Sequence, residues 1–283
     1  MTVGEAVLRA TQALEDAGSD EARLEAEVLV MHQTGLTRAA LFKAWLDALS
    51  PQQETQLQTL VARRKQGEPL AYITGHREFY GLDFFVDNRV LIPRPDTELL
   101  VEAALKWLRA HTTPLTMADI GVGSGAIAIS VTVHWPGLTV YAVDASAGAL
   151  EVAAGNVATH NVADRVRLVR GDLLTPLPGL VDLIVANLPY LRDDQVPAWC
   201  GVGSELAWEP LDALAAGPDG LDALRRFFHQ APSYLRPGGA LFAEIGFDQG
   251  EQVMALARSA FPQGDVGLLK DLAGLDRVVR VQT

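Results

Sequence analysis

Two short polar segments of this chain each follow an apolar run that is typical of a β-strand. One of them, residues 187–190, reads Asn-Leu-Pro-Tyr and is called the asparagine motif below. A turn of this composition offers two hydrogen-bond acceptors, the side-chain oxygen of Asn187 and a backbone carbonyl near Pro189, beside the aromatic face of Tyr190. Those groups suit a planar NH2 group, so an amide or exocyclic amino nitrogen is the predicted substrate atom.

The second segment, residues 119–125, reads Asp-Ile-Gly-Val-Gly-Ser-Gly and is called the glycine turn. Glycines at Gly121, Gly123 and Gly125 permit a tight turn and a close approach of the backbone to a ligand, at the amino end of the following helix. This pattern alone fits a dinucleotide as well as it fits S-adenosylmethionine (SAM).

Two aspartates further along the chain also follow predicted strands. Asp144 lies 19 positions after Gly125, where its carboxylate can accept hydrogen bonds from both ribose hydroxyls of a nucleoside. Asp172 is placed to accept a hydrogen bond from an adenine amino group while Leu173 covers the ring. The alternatives are a solvated or helix-capping role for Asp144 and a simple turn at Asp172.

The asparagine motif favours methyl transfer over hydride transfer. An amide nitrogen is a poor nucleophile because its lone pair is delocalised into the carbonyl. If the Asn187 oxygen and a backbone carbonyl at Leu188 or Pro189 each accept one N–H, the nitrogen is held in line with a sulfonium methyl group. Positioning of this kind contributes roughly 7 kcal/mol or more, so no strong base is needed. An ordinary Asn-x-Pro turn is the alternative.

The elements that must position these segments begin with a helical region. Thr2 and Ser50 each open a capping-box sequence, and apolar residues recur at helical spacing between residues 3 and 65. We therefore predict about four short helices in a domain of residues 1–75, which either docks a macromolecular substrate or simply caps the larger domain.

A connecting segment follows the helical region. Aromatic and β-branched residues at 79–86 and 89–92, on either side of Asp87-Asn88, predict a β-hairpin within a linker of residues 76–92.

Strand and helix patterns alternate through residues 93–283. This alternation predicts an α/β, doubly wound fold whose parallel sheet is covered on both faces and binds its ligand at the carboxyl ends of the strands. Together with the glycine turn and the asparagine motif, it predicts a Rossmann-like SAM methyltransferase domain. The predicted strands are 117–120, 140–143, 166–169, 181–186, 240–245 and 277–281, and the predicted helices are 124–134, 147–160, 221–235 and 249–261.

Composition limits the class of partner. The 283 residues carry a net charge of −12, with 23 basic and 35 acidic side chains. A protein that binds nucleic acid usually needs a basic surface, so we expect no direct nucleic acid partner. The single cysteine, Cys200, excludes an intrachain disulfide and predicts a cytoplasmic location. We further expect no membrane span, no metal site and a monomer.

Several segments together resemble the peptide chain release factor glutamine methyltransferases along almost the whole chain. They are Arg-Glu-Phe at 77–79, Leu-Ile-Pro-Arg-Pro-Asp-Thr-Glu at 91–98, the glycine turn, the asparagine motif and Trp-Glu-Pro at 208–210. That family uses SAM to methylate the side-chain amide nitrogen of the glutamine in the Gly-Gly-Gln motif of class 1 release factors. The resemblance therefore implies SAM as cofactor and a class 1 release factor as protein substrate.

The resemblance also implies site residues. Asn187, Pro189 and Tyr190 would be catalytic, and with Leu188 they would bind the glutamine. The family usually has a proline at the position of Leu188, whose loss frees one φ angle and restores an N–H. Because the acceptors remain, we expect activity to be retained. The cofactor-binding residues implied are Asp119, Gly121, Val122, Gly123, Ser124, Gly125, Asp144, Asp172, Leu173 and Asn187.

Two other functions compete with this interpretation. The first is an adenine amino-group methyltransferase acting on DNA or RNA, in which the asparagine motif would hold a flipped base. The acidic charge and the lack of a recognisable base-reading domain oppose it. The second is an adaptor that binds SAM without turnover.

Residues 191–217 form a long connection that we interpret as a lid over the substrate.

Overall fold

The computed structural model describes residues 1–112, 114–199 and 204–283, and Cys200 lies outside them. Contacts divide the described residues into two compact units. The first unit comprises Met1–Gly75 with residues 204–208, and the second comprises the remaining described residues. The functional division of the chain at residues 75 and 92 stays a prediction.

The first unit is a helical bundle, as predicted. Thr2 and Ser50 accept hydrogen bonds from the backbone N–H groups of Glu5 and Gln53 at 3.2 Å each, so both predicted capping boxes are confirmed. The buried faces of the helices form one apolar core. Its helices are α1 (Val3–Glu15), α2 (Ala22–Thr34), α3 (Arg38–Lys43), α4 (Pro51–Lys65) and α5 (Leu70–Thr74).

An ion pair ties residues 204–208 to the helices of the first unit. The Arg64 Nη2 atom lies 2.7 Å from Glu25 Oε1 and 2.7 Å from Glu205 Oε1. Arg64 and Glu25 are largely shielded from water, so the charge pairing between them is less screened than it would be on an open surface.

The predicted hairpin is present, but its turn was placed wrongly. Strand β1 (His76–Phe79) pairs with the antiparallel strand β2 (Leu82–Phe85), and the turn consists of Tyr80 and Gly81 rather than Asp87-Asn88. Tyr80 and Gly81 have φ angles of 52° and 74°. Two consecutive positive φ angles are characteristic of the type I′ turns that suit the twist of a two-stranded hairpin.

The second unit is built on a mixed sheet. Its strands are β3 (Leu115–Ile120), β4 (Leu138–Asp144), β5 (Val166–Arg170), β6 (Val181–Ala186), β7 (Leu235–Glu244), β8 (Asp265–Lys270) and β9 (Asp276–Gln282). Its helices are α6 (Glu98–Leu108), α7 (Ala126–His134), α8 (Ala147–Thr159), α9 (Val196–Trp199), α10 (Asp222–Gln230) and α11 (Gly250–Ala260). Short 3₁₀ helices occur at Pro95–Thr97, Leu211–Ala213 and Ala231–Ser233.

The order of the strands is β5-β4-β3-β6-β7-β9-β8, and the first five are parallel. The prediction of an entirely parallel sheet is wrong at one edge, because β9 runs antiparallel to β7 and to β8. Strand β8 was not predicted. Only a short turn separates β8 from β9, and a connection of that length joins antiparallel strands but cannot make a parallel crossover.

Helices cover both faces of this sheet, which confirms the doubly wound arrangement. Neighbouring residues of β3 point to opposite faces, and Met117 joins one buried cluster while Ala118 joins the other. The first cluster includes α6, α7 and α8, and the second includes α10 and α11. In the described part of the chain, no helix combines the length and apolarity that crossing a bilayer requires.

The strand order reverses on either side of β3. From β3 the chain continues outwards to β4, and later returns to place β6 on the other side. A crevice opens at such a switch point, at the carboxyl ends of the strands. The three glycines of the glycine turn follow β3 and the asparagine motif follows β6, so the fold places both segments at this crevice.

Candidate active site

A cavity of about 660 Å³ lies in the second unit at the carboxyl ends of β3, β4 and β6. Most of the residues that the sequence predicted to be functional line it. They are Gly121, Val122, Gly123, Ser124, Asp144, Asp172, Leu173, Asn187, Leu188 and Pro189. Asp119, Gly125 and Tyr190 do not line this cavity.

Backbone hydrogen bonds hold the glycine turn against the end of β4. The N–H groups of Gly121 and Val122 both donate to the carbonyl oxygen of Val143, at 2.9 and 3.0 Å. Gly121 has a φ angle of 79°, and a Cβ atom there would lie 2.9 Å from the carbonyl oxygen of Asn187. The glycine turn and the asparagine motif therefore pack directly against each other, and a side chain at residue 121 would push them apart.

Asp119, the first residue of the glycine turn, is fully buried. Its Oδ2 atom accepts a hydrogen bond from the Ala128 N–H at 2.9 Å, and Oδ1 has no partner among the described residues. Burial raises the pKa of the Asp119 carboxyl to about 7; the Ala128 hydrogen bond opposes this rise and the charge of Asp144 adds to it. Asp119 thus anchors the first turn of α7.

Asp144 lies at the end of β4 with both carboxylate oxygens engaged. Oδ2 accepts from the Gly123 N–H and Oδ1 from the Ser146 N–H, each at 2.9 Å. Each oxygen keeps a second lone pair, which leaves two acceptor positions on the cavity wall. The capping of α8 is performed by the Ser146 side chain, which accepts from the Ala149 N–H.

Asp172 and Leu173 lie on the cavity wall next to β5. The Asp172 carboxylate forms an ion pair with Arg226, which also lines the cavity. This pair occupies one of the oxygens that was predicted to accept from an adenine amino group. Leu173 has a φ angle of 50°, an unusual conformation for a residue with a branched side chain, and such backbone strain is concentrated at functional sites.

The asparagine motif is held through one side chain that is distant in sequence. The Asn187 Nδ2 atom donates to the Oγ1 atom of Thr97 at 3.1 Å, and Thr97 is buried at the start of α6. Because Nδ2 is used in this way, the Asn187 side chain keeps Oδ1 as its acceptor. Leu188 is buried in the apolar core.

Comparison with known proteins shows the family. Residues 5–75 match the family model described as PrmC N-terminal domain, and residues 96–202 match the model described as Methyltransferase small domain. The chain is 44% identical to the release factor glutamine methyltransferase of Moorella thermoacetica over 98% of this chain and 97% of that protein. It is 45% identical to the protein of the same name from Bordetella pertussis, over 90% and 93% of the two chains.

This chain belongs to the release factor glutamine methyltransferase family. A solved structure of a methyltransferase from Pyrococcus furiosus overlaps 81% of this chain and 98% of its own, with a TM-score of 0.51 and 15% identity. At that identity the similarity concerns the fold alone. Members of methyltransferase families generally use SAM, which agrees with a glycine turn at the switch point.

Tyr190 does not line the cavity of this methyltransferase. Its backbone carbonyl accepts from Gln249 Nε2 at 3.0 Å, and the charge of Glu244, at the end of β7, acts on its hydroxyl. Burial, followed by the charge of Glu244, raises the pKa of the Tyr190 hydroxyl to about 12. The predicted role of Tyr190 as a flat wall for the substrate stays a prediction.

Glu244 is a residue of this site that the sequence analysis missed. It is 1% exposed, and burial raises the pKa of its carboxyl to about 7, against the opposing effects of the Thr97 hydroxyl and the Arg277 guanidinium. The available signal was a single acidic residue at the end of the otherwise apolar strand segment 240–245.

Glu209 is a second functional candidate whose role was not predicted. It is buried, accepts a hydrogen bond from the Ile92 N–H at 3.1 Å and forms an ion pair with Arg94, which lines the cavity. Two of the segments that carry the family resemblance, 91–98 and 208–210, are therefore joined through this carboxylate.

The long connection 191–217 contributes part of the cavity wall. Its base is closed by hydrogen bonds from Leu191 N to Leu214 O and from Ala216 N to Leu191 O, at 2.9 Å each. Residues 200–203 lie outside the described residues, and the lid function stays a prediction. The wall residues from this connection are Pro210, Asp212, Ala213, Ala215, Ala216 and Gly217.

No group of three or more His, Cys, Asp or Glu side chains that could hold a metal ion occurs among residues 1–112, 114–199 and 204–283.

Proposed function

We propose that this protein transfers a methyl group from SAM to the side-chain amide nitrogen of the glutamine in the Gly-Gly-Gln motif of class 1 release factors. The observation that carries the proposal is the direct packing of the glycine turn on the asparagine motif within one cavity, where Gly121 approaches the carbonyl of Asn187. In a chain of this family, that packing would set a nucleoside site beside an acceptor site for an NH2 group.

The cavity has a size and a lining that suit SAM. Its volume of about 660 Å³ is within the usual range for small-molecule sites. Asp144 would hold the ribose through its two remaining lone pairs, and Leu173 would cover the adenine. The backbone of the glycine turn would lie close along the ligand. SAM supplies an electrophilic methyl group on a sulfonium.

Asn187 would orient the substrate amide. Its Oδ1 atom and a backbone carbonyl of the asparagine motif would each accept one N–H of the glutamine side chain, which fixes the plane of the NH2 group. The nitrogen forms a bond to the methyl carbon as the carbon–sulfur bond breaks, and then loses one proton. An N-methylated amide that carries this extra proton is strongly acidic, so water is a sufficient acceptor.

The helical first unit would dock the release factor in the cytoplasm. Residues 5–75 match a model for the N-terminal domain of this family, which supports a docking role for the helical unit that other methyltransferases do not share. The net charge of −12 supports a protein substrate over a nucleic acid. We propose that the protein acts as a monomer.

A methyl-transfer assay with labelled SAM tests the proposal. Unmethylated class 1 release factor, its variant with alanine in place of the Gly-Gly-Gln glutamine, and duplex DNA and RNA are offered in parallel. We expect label on the intact release factor alone. Label on nucleic acid would instead support the adenine methyltransferase, and SAM binding without transfer to any substrate would support the adaptor.

A further inference from the structure

Asn156 is a polar residue on the buried face of α8. It is 1% exposed, and its neighbours on that face, Ala153 and Val157, belong to the first of the two buried clusters of the sheet. Asparagine is a weak helix former, and burying its amide is costly unless the amide is hydrogen-bonded. The side chain of Asn156 therefore depends on its hydrogen-bond partners.

Those partners are backbone groups of two other segments. The Asn156 Oδ1 atom accepts a hydrogen bond from the Phe85 N–H at 2.9 Å. Its Nδ2 atom donates to the carbonyl oxygen of Phe85 at 2.9 Å and to the carbonyl oxygen of Ser124 at 2.8 Å. The amide thus uses both of its N–H groups and joins the end of β2 to the glycine turn.

The end of β2 gives this link a firm support. Phe85 is the last residue of β2, and Asn156 bonds with both its N–H and its carbonyl, as a residue of an adjacent antiparallel strand would. His160, which follows α8, donates from Nε2 to the carbonyl oxygen of Asp83 at 2.8 Å. Of these two attachments of the hairpin, the one at Asn156 also holds the glycine turn.

The Ser124 carbonyl lies in a part of the glycine turn where the backbone itself is little restricted. Ser124 is flanked by Gly123 and Gly125, whose φ angles are 53° and 86°. Glycine has no side chain that limits rotation of the neighbouring peptide groups. Without the bond from Asn156, the peptide group between Ser124 and Gly125 is free to rotate. Because Gly123 and Ser124 line the cavity, such a rotation changes the surface that a ligand meets.

We propose that Asn156 is a positioning residue for the cofactor, which acts by holding the Ser124 carbonyl of the glycine turn against the end of β2. Asn156 does not line the cavity, so its effect on a ligand passes through the backbone of the turn. The inference rests on the proposed function, because SAM is the ligand that the turn would bind.

The proposal predicts separate effects on binding and on catalysis. A turn that is no longer held adopts several conformations, and the apparent SAM affinity falls in proportion to the fraction that can bind. The value of kcat at saturating SAM should change little, because the side chain of Asn187 is held separately by Thr97.

Two variants test the link through SAM affinity, measured by calorimetry, and through kcat. In Asn156→Asp the new carboxyl keeps an acceptor for the Phe85 N–H but has no NH2 group to donate to Ser124. His160→Phe is the matched control, because it keeps a ring against Phe84 and removes the bond to the hairpin without touching the glycine turn. We expect Asn156→Asp to lose about tenfold or more in SAM affinity with kcat within about threefold of the wild type, and His160→Phe to stay within about twofold in both.

A readout without cofactor separates this inference from the proposed function. In the ligand-free protein, the backbone ¹H–¹⁵N resonances of Gly123, Ser124 and Gly125 should shift in Asn156→Asp and keep their positions in His160→Phe. That result in a protein that binds no SAM would sustain the inference and overturn the proposed function. Unchanged SAM affinity in a folded Asn156→Asp protein, or equal losses of SAM affinity in the two variants, would overturn the inference.

A measurement on the wild type does not require that a variant folds. If the bonds of Asn156 favour the turn conformation that binds SAM, then SAM must in return stabilise those bonds. Saturating SAM should therefore slow hydrogen exchange at the Phe85 N–H. The Tyr80 N–H, which donates to Glu98 Oε1 at 3.0 Å at the other end of the hairpin, should exchange at an unchanged rate. Unchanged exchange at Phe85 with SAM bound would contradict the link.

Discussion

The glycine turn and the asparagine motif lie on the same cavity but are held in different ways. The glycine turn is fixed by hydrogen bonds to Val143 and Asp144, the residues at the end of the neighbouring strand. The side chain of Asn187 is fixed instead by Thr97, 90 positions earlier in the chain. The difference indicates that the predicted cofactor end of the cavity is held by residues at the ends of two neighbouring strands, whereas the predicted substrate end depends on a contact between side chains that are far apart in the chain.

The largest effect is expected where a single side chain performs the chemistry. Asn187→Ala removes one of the two acceptors for the substrate amide and should lower kcat by about 10²–10³-fold, the range found when one oriented polar group is removed from an active site. SAM affinity, measured by calorimetry, should change by less than about fivefold. A loss of SAM affinity as large as the loss of kcat would show that the two ends of the cavity are not separable at this residue.

Gly121 is the point at which the two ends touch, and its replacement should damage both. In Gly121→Ala the new Cβ atom would lie 2.9 Å from the Asn187 carbonyl oxygen, so both segments must shift. We expect SAM affinity and kcat each to fall by about tenfold or more. Gly123→Ala is the matched control, because Gly123 also has a positive φ angle but its Cβ would meet no atom closer than 4.0 Å. Equal losses in the two variants would attribute the effect to backbone strain and not to the contact.

Asp144→Asn should affect the cofactor end alone. The asparagine NH2 group would face the N–H of either Gly123 or Ser146, both of which now donate to the carboxylate. We expect SAM affinity to fall by about tenfold while kcat at saturating SAM stays within about threefold. Asp172→Asn is the comparison, and since Asp172 is already paired with Arg226 its effect should be smaller. The opposite ranking would place the dominant contact at the adenine side.

The smallest effect on catalysis is expected at Asp119, where the consequence is stability. Its carboxyl has an ordinary pKa of 3.8 in the unfolded chain and a pKa of about 7 in the folded protein. The folded state therefore keeps a proton that the unfolded state releases, and stability falls as the pH rises from about 4 to about 7. The shift corresponds to a loss on the order of 4 kcal/mol by pH 8.

Asp119→Asn should flatten this dependence, because the asparagine oxygen can still accept from the Ala128 N–H and no charge needs to be buried. Urea unfolding of the wild type and the variant at pH 5 and pH 8 measures the change. Parallel pH dependences in the two proteins would contradict the assignment to Asp119. The variant Glu244→Gln serves as a reference, since Glu244 should contribute a decline of the same sign.

The parts of the fold that the sequence predicted are those set by local patterns. The alternation of apolar strands and helices predicted most of the sheet, and the composition of two strand ends pointed to the segments that line the cavity. The hairpin turn was misplaced because Asp87-Asn88 is a more typical turn sequence than Tyr80-Gly81. Strand β8 was missed because its residues alternate weakly and lie at an edge of the sheet.

The parts of the site that the sequence did not predict depend on long-range contacts. Nothing in the neighbourhood of Thr97 indicates that its hydroxyl accepts a hydrogen bond from Asn187, because the contact requires α6 and β6 to be assembled. Glu209 is similar, since its partners Ile92 and Arg94 are more than 100 positions away. Spacing along the chain carries no information about such contacts until the sheet order is known.

The ion pair between Arg64 and Glu205 has a practical consequence for dividing the protein into fragments. The chain contributes to the helical unit twice, first as Met1–Gly75 and again as residues 204–208. A fragment that begins at residue 76 would keep Glu205 but lose Arg64, and would carry a short segment without the helices that it packs with. Expression of the second unit alone should therefore replace residues 200–208 with a flexible linker in addition to removing the first 75 residues.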